Sequence, residues 1–286
     1  MYDWLTEHKN PLGNWIADGV DWMLTHMAWL FDAFSEGLGS AIEAFIEAML
    51  WVPPLGLVAI FAAIGWFLHR SWKLVALIVL SLLLVINLGY WTETVYTLGL
   101  VIFATVFCIV IGVPVGIAAA HRPWLYAGLR PVLDLMQTIP TFVYLIPTMI
   151  LFGLGLVPGL ISTVIFAIPA PIRLTYLGVA GVPTALREAG EAFGATRRQL
   201  LWKVELPHAM PTIMAGVTQS IMLSLSMVVI AAMVGAPGLG IPVLRALNTV
   251  NIARGFEAGL AIVIVAILLD RVCKQPGNGG SGKRGK

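Results

Sequence analysis

Charge is what this sequence has least of. Asp, Glu, Lys and Arg together make up 11% of 286 residues, against 59% hydrophobic content and a mean hydropathy of +0.90. An ordinary soluble domain has an apolar share nearer half, so that class is excluded and a polytopic, all-α membrane protein remains. The formal net charge of +2 supplies no basic surface for nucleic acid. Cysteine is nearly absent too: Cys108 lies inside an apolar run and Cys273 just past the last one. With no C-x-x-C and no Cys/His cluster, neither a disulfide nor a metal site is expected. The apolar runs hold no well-placed Asp, Glu or Lys, the residues whose cost in hydrocarbon marks an ion relay. Asp134 and Arg173 sit near span ends, and Asp270 at the end of the last span.

A nucleotide site is missing as well. GNGGSGKR at 277–284 satisfies G-x-x-x-x-G-K, yet Arg284 stands where a Ser or Thr should hold Mg²⁺, and no strand-to-helix frame surrounds it. A disordered Gly-rich tail over 273–286 is expected instead, so the chain binds no cofactor and carries no catalytic residues. Strongly apolar sequence begins only after about fifty residues, so no cleavable signal peptide is expected.

What is present comes in a regular order. Residues 1–50 carry Asp3, Glu7, Asp18, Asp21, Asp32, Glu36, Glu43 and Glu47 against a single Lys9. Ile16, Val20, Met23, Met27, Leu30, Phe34, Leu38 and Ile42 recur at helical spacing, and Trp15, Trp22 and Trp29 sit seven apart. This pattern predicts one or two amphipathic helices along an extracytoplasmic membrane face, either packed on the rest of the protein or receiving a partner. Seven apolar runs follow, at about 52–68, 74–90, 97–120, 138–153, 157–178, 211–234 and 257–272, each near the length a bilayer requires. His69, Arg70, Lys73, His121, Arg122, Arg130, Arg187, Arg197, Arg198, Lys203, Arg271 and the tail lysines then share one side. The positive-inside rule makes that side cytoplasmic, with the N-terminus outside and the C-terminus within. Arg245 and Arg254 stand against the rule, in a Pro/Gly-punctuated segment read as a turn plus short helix at the outer mouth.

The longest charged island, VPTALREAGEAFGATRRQLLWKVELPHAMP at 182–211, organises the second half of the chain. Leu186, Ala189 and Phe193 recur on one face of a short helix, with Arg187, Glu188 and Glu191 on the others. Gly194 is expected to end it through left-handed backbone, and a second helix from about Arg197 is expected to stop at Pro207. Two stubby helices would thus offer a charged knob to water.

Within the island Glu188, Ala189, Gly190, Gly194, Val204, Leu206 and Pro207 stand at the spacing E-A-x-x-x-x-G-x9-[apolar]-x-L-P. This resembles the EAA loop of ABC importer permeases, departing from it with Gly190 for alanine and Val204 for isoleucine. LDLMQTIPTFVYLIPTMILFG, ELPHAMPTIMAGVTQSIMLSLSMVVIAAMVG and AILLDR extend the resemblance over about 74–271 to the permeases of choline and glycine betaine or proline betaine importers, with the choline branch favoured. The resemblance implies a type I importer permease fold of about seven transmembrane helices in a bacterial cytoplasmic (inner) membrane. It divides the chain into an N-terminal region (1–50), two helices (51–93), a permease core (94–272) with the loop at 182–210, and the tail. It also implies two copies of a separate ATP-binding subunit that uses ATP and Mg²⁺, an external substrate-binding protein and a second copy of this chain.

For the path itself the mild polarity of Tyr144, Gln219 and Ser224 is what the spans offer, since a permanent cation favours aromatic faces and neutral dipoles. Each could equally hydrogen-bond between packed helices. Pro140, Pro147, Pro158, Pro169 and Pro171, with Gly153 and Gly155, are expected to break the fourth and fifth spans. The methionines at 210, 214, 222, 227 and 233 are expected in the core, and His208 at the surface. A stand-alone ion-coupled transporter or channel is the rival reading; it predicts intramembrane carboxylates and an inverted repeat, and neither is visible.

Overall fold

The computed structural model describes residues 12–273, all helix and turn, with no strand among them. The acids and lysine nearest the N-terminus and the Gly-rich tail lie outside the described residues. The helices are α1 Leu12–Trp51, α2 Pro54–His69, α3 Trp72–Asn87, α4 Trp91–His121, α5 Pro123–Thr138, α6 Thr141–Phe152, α7 Leu156–Ala167, α8 Pro169–Ala180, α9 Thr184–Ala192, α10 Arg197–Leu200, α11 Leu206–Ala231, α12 Gly240–Asn248 and α13 Ile252–Cys273. Proline sets many of the starts: Pro54, Pro123, Pro169 and Pro207 lie in first turns and Pro140 and Pro183 are N-caps, positions where a missing N–H costs nothing.

The core is a sandwich in which α8 runs between α4 and α11, with α7 continuing it and α13 and the α2–α3 hairpin on the flank. Gly112 and Gly116, one turn apart on α4, permit the approach. A Cβ at 116 would stand 2.6 Å from Thr175 Cβ and 2.7 Å from the Ile172 carbonyl oxygen. Between membrane helices lipid is as apolar as leucine, so this close backbone contact is what favours association.

Among the described residues, four helical runs are each long and apolar enough to cross a bilayer: Trp91–His121, Leu156–Ala180, Arg197–Val234 and Ile252–Cys273. Up to six result if two bent pairs, Gly13–Trp51 with Pro54–His69 (103°) and Pro123–Thr138 with Thr141–Phe152 (97°), each count as one. Three of the seven runs expected from sequence are therefore shorter than straight spans. The 138–153 run is a 12-residue α6, only about 18 Å long. Pro140 and positive-φ Gly153 and Gly155 do break this region as expected, whereas Pro147, Pro158 and Pro171 lie inside helices and the run Leu156–Ala180 stays continuous past Pro169.

α1 is one continuous 40-residue helix, where one or two surface helices were expected. It packs on the protein along its length. Ile16 and Val20 line a cleft with Val143 and Ile146 of α6, Phe31 meets Phe152 edge-on at 5.4 Å, and Ile42 and Ile46 are fully buried against α4 and α7. Trp15, Trp22 and Trp29 remain exposed as a stripe.

The faces sort as the charges indicated. His69 Nε2 lies 3.0 Å from the Val272 carbonyl oxygen, and His121 Nε2 lies 2.8 Å from Glu205. The loop after α2, the end of α4, the 182–205 island and the end of α13 thus share one face.

Candidate functional site

The island at 182–205 is built as two helices joined at a bend. α9 closes when Gly194 takes φ 77°: its N–H donates to the Glu191 carbonyl (2.8 Å) and that of Ala195 to the Gly190 carbonyl (3.0 Å), which satisfies the carbonyls a helix end leaves open. Thr196 then starts α10. Its Oγ1 accepts from the Gln199 N–H at 3.3 Å, while Gln199 Oε1 accepts from the Thr196 N–H at 2.8 Å. This reciprocal cap is written in the sequence as T-x-x-Q.

Pro207 does not stop the second helix. A π-turn over Leu201–Glu205 intervenes, and the Leu206 N–H donates to Leu201, five residues back. Because the four-residue ladder is already broken there, the ring at 207 finds room and lacks no needed donor. α11 continues, giving one helical run from Arg197 to Val234, 38 residues long.

The two departures from the resembled spacing meet in space. A Cβ on Gly190 would lie 2.7 Å from Leu200 Cδ1 and 3.7 Å from Val204 Cγ2, so this is where α9 crosses the second helix. Leu206 packs with Val179, Ala209 and Ile213; Pro207, Glu188, Ala189 and Gly194 are exposed.

Glu205, which sequence reasoning passed over, fixes the island to the bundle. Its side chain is 3% exposed, with Oε2 2.8 Å from His121 Nε2 at the end of α4 and Oε1 3.1 Å from Arg187 Nε on α9. Arg187 also donates through a terminal nitrogen to the Val179 carbonyl of α8. One buried carboxylate thus joins α4, α9 and the base of α11. Asp134 and Arg173, noticed separately in the sequence, form an ion pair of 2.6 Å between α5 and α8.

The knob presents to solvent the charges expected of it, Glu188, Glu191, Arg197, Arg198 and Lys203, but large apolar side chains are exposed among them. No residue of α9 is buried. Its apolar face points outward, with Leu186 44% and Phe193 93% exposed, and Trp202 adds 64%. The inward positions are Arg187, which reaches Glu205, and Gly190, which lies over Leu200.

The three expected path residues are not brought together. Tyr144 Oη donates to the Met136 carbonyl (2.6 Å), fastening the corner between α5 and α6. Ser224 is buried and donates to the Ser220 carbonyl of its own helix at 2.8 Å. Gln219 alone is exposed, on a face of α11 that also shows Pro211, Ala215, Met222, Ser226 and Met233. Those positions recur at three- and four-residue steps, with one double step, which makes them one stripe. The methionines divide accordingly: Met227 is in the core, but Met210, Met222 and Met233 are exposed, against the expectation that all pack inside. Alternating small and large residues at helical spacing hid this face, since methionine suits either environment. His208 is exposed, as expected.

Comparison with known proteins adds the following. Residues 112–272 match the family described as binding-protein-dependent transport system inner membrane component. The chain is 48% identical to the glycine betaine transport system permease protein OpuAB of Bacillus subtilis, over 92% of this chain and 93% of that one. It is 44% identical to the glycine betaine/proline betaine transport system permease protein ProW of Escherichia coli, over 96% and 82%. The choline transport system permease protein OpuBD of Bacillus subtilis is 34% identical over 58% and 70%. Among solved structures, the MetNI methionine ABC transporter in an inward-facing conformation matches with a TM-score of 0.55 and 26% identity, over 61% of this chain and 88% of that one.

Proposed function

The chain belongs to the binding-protein-dependent transport system inner membrane component family, and from that premise we propose that it is the permease of an ATP-driven importer of glycine betaine and related quaternary ammonium zwitterions. It is a multi-pass membrane transport subunit and an ABC importer permease. The choice of betaine revises the leaning toward choline: relatives named for betaine match nearly the whole chain, and the relative named for choline matches just over half of it at lower identity.

The observation that carries the coupling half of the proposal is the uncovered apolar face of α9. A loop in water gains nothing by exposing Phe193 at 93%, whereas a docked partner buries it, and burying a phenylalanine side chain contributes about 1.5–3 kcal/mol. We assign that face to a separate ATP-binding subunit. The EAA-like positions Glu188, Ala189, Gly190, Gly194, Val204, Leu206 and Pro207 build the knob.

A push on α9 passes along two rigid routes. The first is the continuous helix from Arg197 to Val234, which carries the exposed stripe at Gln219. The second is the Glu205 junction with His121 and Arg187, which moves α4 with it. Two copies of the chain, each facing the other with its α11 stripe, would enclose a path that tilts from inward-open to outward-open on ATP binding and resets on hydrolysis. Gln219 is the path residue the geometry favours; Tyr144 and Ser224 support the wall. A binding protein delivers substrate from outside, and the bacterial inner membrane is the compartment this assembly implies.

Reconstitution tests the reading. Uptake of glycine betaine into proteoliposomes should require the ATP-binding subunit, the binding protein and ATP, and Phe193→Asp should abolish association with the ATP-binding subunit. Uptake without that subunit, or wild-type association of the variant, refutes it.

A further inference from the structure

At the face opposite the Glu205 junction, the start of α4, the α12 turn and the start of α13 enclose a cleft of about 680 Å³. Volumes of this order hold small ligands. Its frame is fixed: the Leu239 N–H donates to Thr97 Oγ1 at 2.9 Å, which ties the segment before α12 to α4. Into it face two tyrosines, Tyr90 and Tyr96, two carboxylates, Glu93 and Glu257, and two guanidiniums, Arg245 and Arg254.

The four charged side chains form no ion pair or side-chain hydrogen bond with any described residue. Opposite charges thus line one cleft and leave each other unpaired, with both signs available to a ligand. Both carboxylates are half-buried beside the tyrosines. The Tyr90 hydroxyl registers them: burial pushes its pKa up, Glu257 pushes it further, Arg254 opposes and Glu93 adds. Glu257, Arg254 and Glu93 are thus all within electrostatic reach of a single phenol.

We infer that this cleft is an entry site for a small zwitterion, with Tyr90, Tyr96, Glu93 and Glu257 receiving a quaternary ammonium head and Arg245 and Arg254 receiving its carboxylate. A permanent cation with no N–H cannot be held by hydrogen bonds. Aromatic faces and carboxylate charge are the groups that attract it, and arginine is the side chain whose fork matches a carboxylate. Neither charge pair alone selects a zwitterion; the two together do. The inference rests on the proposed function and adds to it a site on the permease itself, at the mouth that substrate leaving the binding protein meets first.

The test uses the permease in complex with its ATP-binding subunit, in nanodiscs, without binding protein. Radiolabelled glycine betaine should bind saturably, and Glu257→Gln and Arg245→Gln should each weaken it at least tenfold. Choline, which has no carboxylate, should lose affinity in Glu257→Gln and be indifferent to Arg245→Gln. Monodisperse assembly of each variant with the ATP-binding subunit shows that it has folded. Absence of saturable betaine binding to a complex that imports betaine overturns this inference alone, as does unchanged betaine affinity in both variants. A complete complex that imports no betaine overturns the functional reading with it.

Discussion

Removing the cation from the Glu205 junction should do more damage than removing the anion. The asymmetry follows from burial. Glu205 is 3% exposed, while Arg187 is 30% and His121 46% exposed. In Glu205→Gln the Arg187 guanidinium and the His121 ring keep partial access to water, and a neutral isostere of the same shape stays behind, so the cost is that of ordinary hydrogen bonds, about 1 kcal/mol. In Arg187→Met the carboxylate stays buried with only His121 beside it. Breaking a fully buried pair costs about 3–5 kcal/mol; discounting for the exposure of Arg187 and for the partner that remains leaves about 2–3 kcal/mol.

Hydrogen exchange reads this directly, since the junction holds α9 and the base of α11 against α4. Opening energies lower by about 2–3 kcal/mol correspond to exchange faster by about 30- to 150-fold. The amides of 197–205 should accelerate by that factor in Arg187→Met and by about fivefold in Glu205→Gln. The double variant should resemble Glu205→Gln, because no buried charge is left unpaired; the cycle should show coupling of about 2–3 kcal/mol. Equal effects of the two single substitutions, or simple additivity, would refute the junction.

Three further outcomes follow from the same geometry. Gly194→Val should lower uptake per ATP hydrolysed while the protein still inserts: a Cβ there meets nothing within 4 Å, so the change is confined to the left-handed backbone, about 1–2 kcal/mol, and an unaltered transport-to-hydrolysis ratio would count against the coupling role. Tyr144→Phe removes the bond to Met136 and should cost about 1 kcal/mol of thermal stability with the KM for uptake unchanged; the reverse result would return Tyr144 to the path. Gly116→Val drives a methyl-bearing carbon into the Ile172 carbonyl and should prevent accumulation in the membrane, while Gly128→Val, where nothing lies within 4 Å, should accumulate normally.

Much of the fold is legible because prolines and glycines act locally. Pro140, Gly153 and Gly155 break helices where they stand, and Gly194 turns the chain as its spacing requires. Pro207 is the instructive failure. Its effect depends on whether the preceding turn is α or π, and the sequence LWKVE carries no mark that distinguishes them. Span count fails for another reason: hydropathy measures how apolar a run is, but α6 is held to 12 residues by Pro140 and Gly153 at its ends, and it lies bent by 97° from α5, with the Tyr144 bond across that corner.

The site is legible in outline and illegible in its fastening. The E-A-G spacing locates the knob, since every residue in it acts within two turns of its neighbours. Glu205 is invisible because its partner His121 lies 84 residues away, and nothing local distinguishes a buried glutamate from a solvated one in a charged island. The outward face of α9 is hidden by a different ambiguity. Leu186, Ala189 and Phe193 make an amphipathic pattern, and periodicity says that one face is apolar without saying what covers it. Here the inner side is taken by Arg187 and Gly190, so the apolar side is left over. The same holds on α11, where Gln219 and Ser226 share an exposed stripe with methionines. A lipid-facing helix has no use for the amide, and a water-facing loop has none for Phe193. The two uncovered faces sit on one continuous helical run and its attached knob, one near the aqueous boundary and one within the membrane. On the proposed reading they take two different neighbours, one soluble and one embedded, and the continuous run from Arg197 to Val234 connects them.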